Sequence, residues 1–363
     1  MLRSMPAATI TVALALSLAA CGGSSSEGAA PPDTLDPGAD LAKQSLTVSN
    51  WDGYMADDLP AKFKAKTGAS VTVTKHATNE EIVAKLTAGG DSGIDVAFVS
   101  GQYAQALNEQ GLLEPIHADL VPNLKNLYPE ATGLAYDKGN AFSVPYTWGT
   151  TGICYRDDLV GFTPDSWNDL LSPRPELKKK VTMMATERWL ALPALKSLGF
   201  SVNATDPAQL DQVKAKLVET KKSLLAFDDT TFGDRLKSGE AALVEAWDGW
   251  CPTDTKNIKF VLPKEGSDLW VDTMVVLKSS KNKEAAHAFV NHMLEADVQG
   301  WAPANILYKV PNKPAMETVD AKLLKSYPQL DMSPADLLKG ETAIDLGEAS
   351  TLFTTLASEV AAS

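Results

Sequence analysis

The chain has 363 residues, 44% of them hydrophobic and 22% charged, and its 33 Lys and Arg against 46 Asp and Glu leave a formal net charge of -13. That balance has the wrong sign for a nucleic-acid binder, which carries a basic face; it suits cationic ligands, although most such charge is solvated surface. The length exceeds what one hydrophobic core usually serves, so two lobes are expected.

Arg3 precedes an apolar run over residues 7–18, which ends at Leu18-Ala19-Ala20-Cys21. So short a run cannot span a bilayer as a permanent helix, and its charged start, apolar middle and small-residue end are those of an export signal. It resembles a bacterial lipoprotein signal, in which residues 1–20 are removed and Cys21 is lipidated. A signal cut nearby, with Cys21 incidental, is the alternative. Gly22 to Asp40 is rich in Gly, Ser, Ala, Pro and acid without apolar periodicity, so residues 21–43 read as a flexible tether. No later run is apolar for long enough to cross a membrane. The body is therefore expected outside the cytoplasm, held to the cell membrane by lipid.

Ser45 to Asn50 alternates, with β-branched residues, and predicts a strand. Leu59, Phe63 and the run to Gly68 predict a helix with a glycine stop. Ser70 to Thr74, "SVTVT", predicts a second strand, Asn79 to Leu86 a helix capped by Asn79, and Ile94 to Val99 a third strand. Strand, helix, strand, helix, strand implies a largely parallel α/β sheet, whose functional groups gather at the carboxyl ends of the strands. Asn50, Trp51 and Asp52 lie at one such end, and Ser100, Gln102 and Tyr103 at another. Further on, Val181 to Ala185 predicts a strand leading into a helix from Thr186, and Asp206 to Leu217 a surface helix. Ala241 to Ala246 and Trp270 to Leu277 predict strands, and Ala285 to Leu294 a helix.

Catalytic patterns are sparse. Gly90-Asp91-Ser92-Gly93 matches the nucleophile segment of trypsin-like proteases only superficially, since no Gly-Pro follows and His76, His117, His287 and His292 stand in no partner motif. His287 and His292 are five apart and do not share a helix face as a zinc pair would. No phosphate-binding glycine loop opens a helix after a strand. An enzyme is the weaker class, and neither a cofactor nor a metal is expected. Cys21 aside, Cys154 and Cys251 remain; outside the cytoplasm they could oxidise together, while two separately buried thiols stay the alternative.

Three stretches place tryptophan beside an acid at a strand end: "SNWDGY" (Ser49 to Tyr54), "VEAWDGWCP" (Val244 to Pro252) and "LWVDTM" (Leu269 to Met274). Tryptophan gathers in cores, interfaces and pockets. Core packing is the ordinary reading of one such residue; Trp51, Trp247 and Trp270 together, each with its acid, point to a ligand cage. Trp148, Trp167 and Trp301 lean towards core and hinge roles.

From about Ser45 to near Ser358 the chain resembles the periplasmic substrate-binding proteins of polyamine ABC transporters. The resemblance is carried by "SNWDGYMADDLPAKFKAKTGASVTV", "IDVAFVSGQY", "FSVPYTWGTTGICY", "SWNDLL", "WDG", "VLPKEGSDLWVDTMVV" and "NKEAAHAFVNHML", in that order. It implies an α/β, two-lobed periplasmic-binding-protein fold, type II-like, with a hinge of crossing strands and a ligand cleft between the lobes. Residues 44–148 and 271–316 would form the N-terminal lobe, and 149–270 and 317–363 the C-terminal lobe. The segment Trp148 to Tyr155 and the strand after Trp270 would be the crossovers. In the cleft, Trp51 and Tyr54 match aromatic positions, Ser100 a polar contact, Trp247 and Trp270 the far wall, and Asp272 a carboxylate that takes an amine. The expected partners are a small amine ligand and membrane permease subunits, the protein acting as a monomer and not as an enzyme.

The chain also departs from that pattern. Where polyamine binders place two more carboxylates after the strand at Val181, it has Thr186 and Trp189, with Glu187 the only acid and Arg188 beside it. An aromatic beside Ser100 becomes Gln102, with Tyr103 next to it. These losses raise an alternative ligand, a zwitterion such as γ-aminobutyrate, its amine on Asp272 and its carboxylate on Arg188 at a helix start; a solvated helix charge is the plainer reading of Arg188. Asp52 and Asp248 are alternative amine partners, or else turn residues. A carbohydrate-active enzyme using Asp248 and Asp272 and a sensor reporting to a membrane receptor are the rival classes.

Overall fold

Period-two alternation of β-branched residues makes the strands of the first sheet, and the helices between them cover its faces. The structure, a computed structural model, describes residues 35–363. Cys21, the predicted signal at 1–20 and the tether up to residue 34 lie outside the described residues. The strands are β1 Ser45–Asn50, β2 Ser70–Lys75, β3 Val96–Ser100, β4 Val144–Gly149, β5 Thr151–Arg156, β6 Val181–Met183, β7 Ala226–Phe227, β8 Leu243–Trp247, β9 Ile258–Val261, β10 Asp268–Val276 and β11 Glu341–Thr342. The helices Leu59–Thr67, Asn79–Thr87, Glu187–Ser197, Pro207–Lys221 and Lys283–Met293 stand where periodicity puts them.

Asp36–Ser363 form one compact unit containing two sheets. The first runs β11-β10-β3-β1-β2, with β4 on the other side of β10. β1 is parallel to β2 and β3, as expected, but β10 is antiparallel to both β3 and β4, so the sheet is mixed. The second runs β7-β6-β8-β5-β9, parallel across β6 and antiparallel across β5. Each sheet has its own core. Val48, Phe63, Phe98, Trp148 and Phe289 lie in one, and Trp167, Leu195, Leu217 and Phe353 in the other. The last helix, Thr351–Ala362, packs on the Glu187–Ser197 and Pro207–Lys221 helices of the second sheet.

Two strand connections carry the chain from sheet to sheet. β4 ends at Gly149 and β5 begins at Thr151, so Thr150 alone separates them, and the return runs from β9 into β10. The crossing is pinned by polar contacts: Thr150 Oγ1 donates to the Asp268 carbonyl (2.7 Å), the Thr151 N–H to Asp268 Oδ1 (2.8 Å) and Ser267 Oγ to the Thr151 carbonyl (2.6 Å). Cys154 on β5 and Cys251 after β8 are joined by a disulfide with Cα atoms 5.7 Å apart. Thr78, not Asn79, caps the second helix, its side chain accepting from the Glu81 N–H. Asn79 is free to do something else.

Candidate functional site

Asp272 sits in the middle of β10, opposite Ser100 of β3 and Thr147 of β4. That register aims two hydroxyls at its carboxylate. Ser100 Oγ donates to Oδ1 (2.7 Å) and Tyr54 Oη to Oδ2 (2.6 Å), while Thr147 Oγ1 lies 2.9 Å from the tyrosine oxygen. Asn79 holds Ser100 in place, its Oδ1 accepting the Ser100 N–H (2.9 Å) and its Nδ2 donating to Ser100 Oγ (3.1 Å). No Lys, Arg or His among the described residues pairs with Asp272. Burial therefore pushes its carboxyl pKa above the ordinary value, and the hydroxyl donors pull it only part of the way back. The result is a desolvated carboxylate that lacks a cation.

Aromatic rings surround it. Trp51, just beyond β1, meets Tyr54 edge-on with centroids 5.2 Å apart and has His76 on another side at 4.9 Å. His76 is buried with its Nδ1 2.9 Å from Ser49 Oγ. Tyr54 also meets Tyr308 (6.0 Å), which in turn lies against Trp270 (4.8 Å). Trp51, Tyr54, Tyr308 and Trp270 thus form a continuous aromatic series next to Asp272. Trp270 pairs with Gly149 across β10 and β4, where a Cβ would fall 2.1 Å from Trp270 Cζ2, so only glycine fits.

Trp247 pairs with Thr151 across β8 and β5, two residues from the partner of Trp270, which brings both indoles to the crossing. Its ring contacts are with Trp189 and Trp250, both edge-on at 5.6 Å. No ring-to-ring contact joins this second set to the first among the described residues. Trp189, at the start of the Glu187–Ser197 helix, donates its indole N–H to Asp268 Oδ2 (3.0 Å). Gln102 and Tyr103 occupy the first turn of the helix after β3, where the Tyr103 hydroxyl donates to Glu80. Burial and Glu80 raise the Tyr103 pKa, with the charges of Glu187 and Arg188 adding smaller effects of opposite sign. Those two residues, on the other sheet's helix, are therefore neighbours of Tyr103.

Three expected residues are engaged elsewhere. Asp248 is wholly buried in an ion pair with Lys309 and also accepts the Gly249 (2.8 Å) and Thr150 (3.3 Å) N–H groups. Its charge is already matched, which leaves nothing to offer an amine. Asp52 is exposed and paired with Lys75, which holds its carboxyl below the usual range. Arg188 donates to the Val202 carbonyl (3.0 Å) and Asn203 Oδ1 (2.7 Å), with the Phe353 ring 4.8 Å below its guanidinium. It ties a loop and the last helix to its own helix, and these two bonds engage its Nη2 group.

Sequence reasoning missed Tyr308, Asp268 and Glu245. Tyr308 follows Leu307, a non-glycine residue at φ 60°, and packs where a Cβ on Gly249 would lie 2.3 Å from its ring. The glycine of "WDG" was the available signal. Asp268 is buried at the start of β10. Glu245 is buried in β8; its Oε2 accepts the Met184 N–H (3.0 Å) while Oε1 has no partner. No cluster of metal-ligating side chains occurs among the described residues, and no helix among them is long and apolar enough to cross a membrane.

Comparisons with known proteins agree with this architecture. The spermidine/putrescine-binding periplasmic protein of Salmonella typhimurium is 29% identical over 316 residues, covering 85% of this chain and 89% of that protein. The spermidine/putrescine-binding periplasmic protein 1 of Haemophilus influenzae is 30% identical over 299 residues, covering 80% and 82%. A lipoprotein of Treponema pallidum of known crystal structure superposes with a TM-score of 0.77 at 26% identity, over 87% of this chain and 99% of that one. Residues 58–330 match the model of the bacterial extracellular solute-binding proteins, and the chain belongs to that family.

Proposed function

We propose that this protein captures a polyamine or a related small amine cation outside the cytoplasm and delivers it to the permease of an ABC importer. The observation that carries the reading is Asp272, a desolvated carboxylate held by neutral hydroxyls of Ser100 and Tyr54 with aromatic rings around it. An ammonium against an indole or phenol face gains about 0.5–2 kcal/mol. A charge-assisted hydrogen bond to the carboxylate adds about 1.5–3 kcal/mol. Several such contacts reach the ~8 kcal/mol of micromolar binding once ordering costs are subtracted.

In this reading Trp51, Tyr54, Trp270 and Tyr308 enclose the ligand's methylene chain beside Asp272. Trp189 and Trp247 face it from the second sheet, and Gln102, Tyr103 and Glu187 line the edge. Residues 44–148 with 271–316, and 149–270 with 317–363, act as the two lobes, and ligand shifts the population towards their closed arrangement because only that arrangement completes the cage. The protein works as a monomeric carrier and not as a catalyst, anchored through lipid on Cys21. The lipoprotein nature of the Treponema pallidum relative supports the anchor.

The engaged guanidinium of Arg188 argues against a zwitterion. Isothermal calorimetry with putrescine, spermidine, betaines and amino acids tests the reading. Amines should bind at micromolar affinity or better, and Asp272→Asn should weaken them by roughly tenfold or more; affinity unchanged in that variant would sink the assignment. Metabolic labelling with a fatty acid, lost in Cys21→Ser, tests the anchor.

A further inference from the structure

Asn79 stands at the first position of the Asn79–Thr87 helix, directly after Thr78, whose side chain already accepts from the Glu81 N–H and caps that end. Asparagine is a weak helix former, and here it is relieved of the capping it does best. Its side chain turns instead to Ser100 at the end of β3. The Ser100 N–H can only donate, so the amide oxygen must face it, and Asn79 Oδ1 accepts it at 2.9 Å. That orientation leaves Nδ2 on Ser100 Oγ (3.1 Å), and an amide nitrogen can only donate as well.

With one lone pair of Ser100 Oγ taken by Asn79, the hydroxyl proton has Asp272 Oδ1 (2.7 Å) as its acceptor among the described residues. Each choice is forced by the one before it, from backbone amide to carboxylate. The side of Oδ2 has no such constraint, because Tyr54 Oη and Thr147 Oγ1 lie 2.9 Å apart and either can be the donor. The titratable groups facing this relay are few. Tyr54, Tyr136, Tyr146 and Tyr308 feel the Asp272 charge, and burial pushes all four phenols up, away from the carboxyl range. His76, against Trp51, is lowered by burial. On the helix of Asn79 itself, Glu80 accepts from the Tyr103 hydroxyl and Glu81 from the Ala77 N–H (2.7 Å).

We propose that Asn79 is a positioning residue for amine capture, which by donating to Ser100 Oγ commits the serine proton to Asp272 and so holds the buried carboxylate as an acceptor for an incoming ammonium. This rests on the amine-binding reading above. The donated proton favours the ionised carboxyl against the burial that opposes it. Without Asn79 the serine hydroxyl can turn and accept a proton from Asp272 instead, and a protonated acid offers an ammonium no charge.

The test follows the Asp272 carboxyl by carbon NMR in the unliganded protein, its signal assigned by its loss in Asp272→Asn, and putrescine affinity by calorimetry over the same pH range. Asn79→Ala should raise the carboxyl midpoint by roughly half a pH unit or more, and the pH at which putrescine affinity falls should rise with it. Asn79→Asp, which keeps the shape and the acceptor for the Ser100 N–H but not the donor, should raise both further. In a Ser100→Ala background the Asn79→Ala shift should vanish, and the Asn79→Asp shift should shrink to the plain effect of an added charge. No shift in either Asn79 variant, whatever the loss of stability, marks a merely structural role and overturns the proposal, as does a shift that persists in full without the serine hydroxyl. Should Asn79→Ala not fold, the near-isosteric Asn79→Asp, alone and with Ser100→Ala, still decides. Failure of the underlying amine-binding reading looks different: putrescine would not bind the native chain, while the carboxyl midpoints would still decide the relay.

Discussion

Asp248 and Asp272 both lie next to tryptophans, yet the fold treats them in opposite ways. Asp248, at the sheet-to-sheet crossing, is sealed with Lys309, and Lys309 also donates to the Gln329 carbonyl (3.1 Å) while Gln329 donates back to the Asp248 carbonyl (3.1 Å). Asp272 has hydroxyls alone. Burial raises both carboxyls, but Lys309 opposes the rise at Asp248 and nothing charged does so at Asp272. A buried acid with its own cation belongs to the framework; one with only neutral donors keeps its unmet attraction for a visitor.

The sharpest way to break this contrast is to remove the built-in cation. Lys309→Met leaves Asp248 buried and unpaired and should cost about 3–5 kcal/mol in chemical denaturation, much of it recovered when Asp248→Asn is added. Next comes the disulfide beside the same turn, which closes a separation of 97 residues; Cys154→Ala with Cys251→Ala should lower stability by about 2–5 kcal/mol without abolishing amine binding. Asp272→Asn should do the reverse of both, leaving the apo protein at least as stable while weakening amines by about 1.5–3 kcal/mol in calorimetry. Tyr54→Phe, which deletes one hydroxyl donor to Asp272, should weaken binding by about 0.5–1.5 kcal/mol.

The mildest probe is pH. Amines need Asp272 ionised, and its carboxyl titrates above the usual value in the unliganded protein. Affinity should therefore be fully present above that raised value and fall as pH drops through it, before ordinary carboxyls protonate. The same raised value means that ionising Asp272 costs the apo fold stability as pH rises past the unfolded carboxyl value, a loss that ligand should offset. Thermal melts with and without putrescine across this range would reveal it.

Most of the fold was legible because its signals are local. Alternation in Ser45 to Asn50, the glycine stop at Gly68 and the apolar spacing in Ala285 to Leu294 each dictate an element from within a few residues. Cap choice was less legible: Thr78 and Asn79 are both good caps, and the long-range pull of Ser100 on Asn79 decided between them. The antiparallel insertion of β10 was hidden too, since strand spacing does not encode which neighbours a late strand finds. At the site, Asp272 and its aromatics were readable through resemblance. The partners that distinguish a receptor from a framework acid were not, because Lys309 stands 61 residues from Asp248 and Tyr54 stands 218 from Asp272. Glu245 looks like any strand residue until its surroundings are known.

Trp270 rests directly on Gly149, at the one-residue step where the backbone changes sheets. If Trp270 encloses cargo as proposed, the indole touches cargo on one side and this step on the other, and a tilt on loading passes straight to the joint. In that reading, loading is announced at the molecule's outer shape, where a transporter can read it.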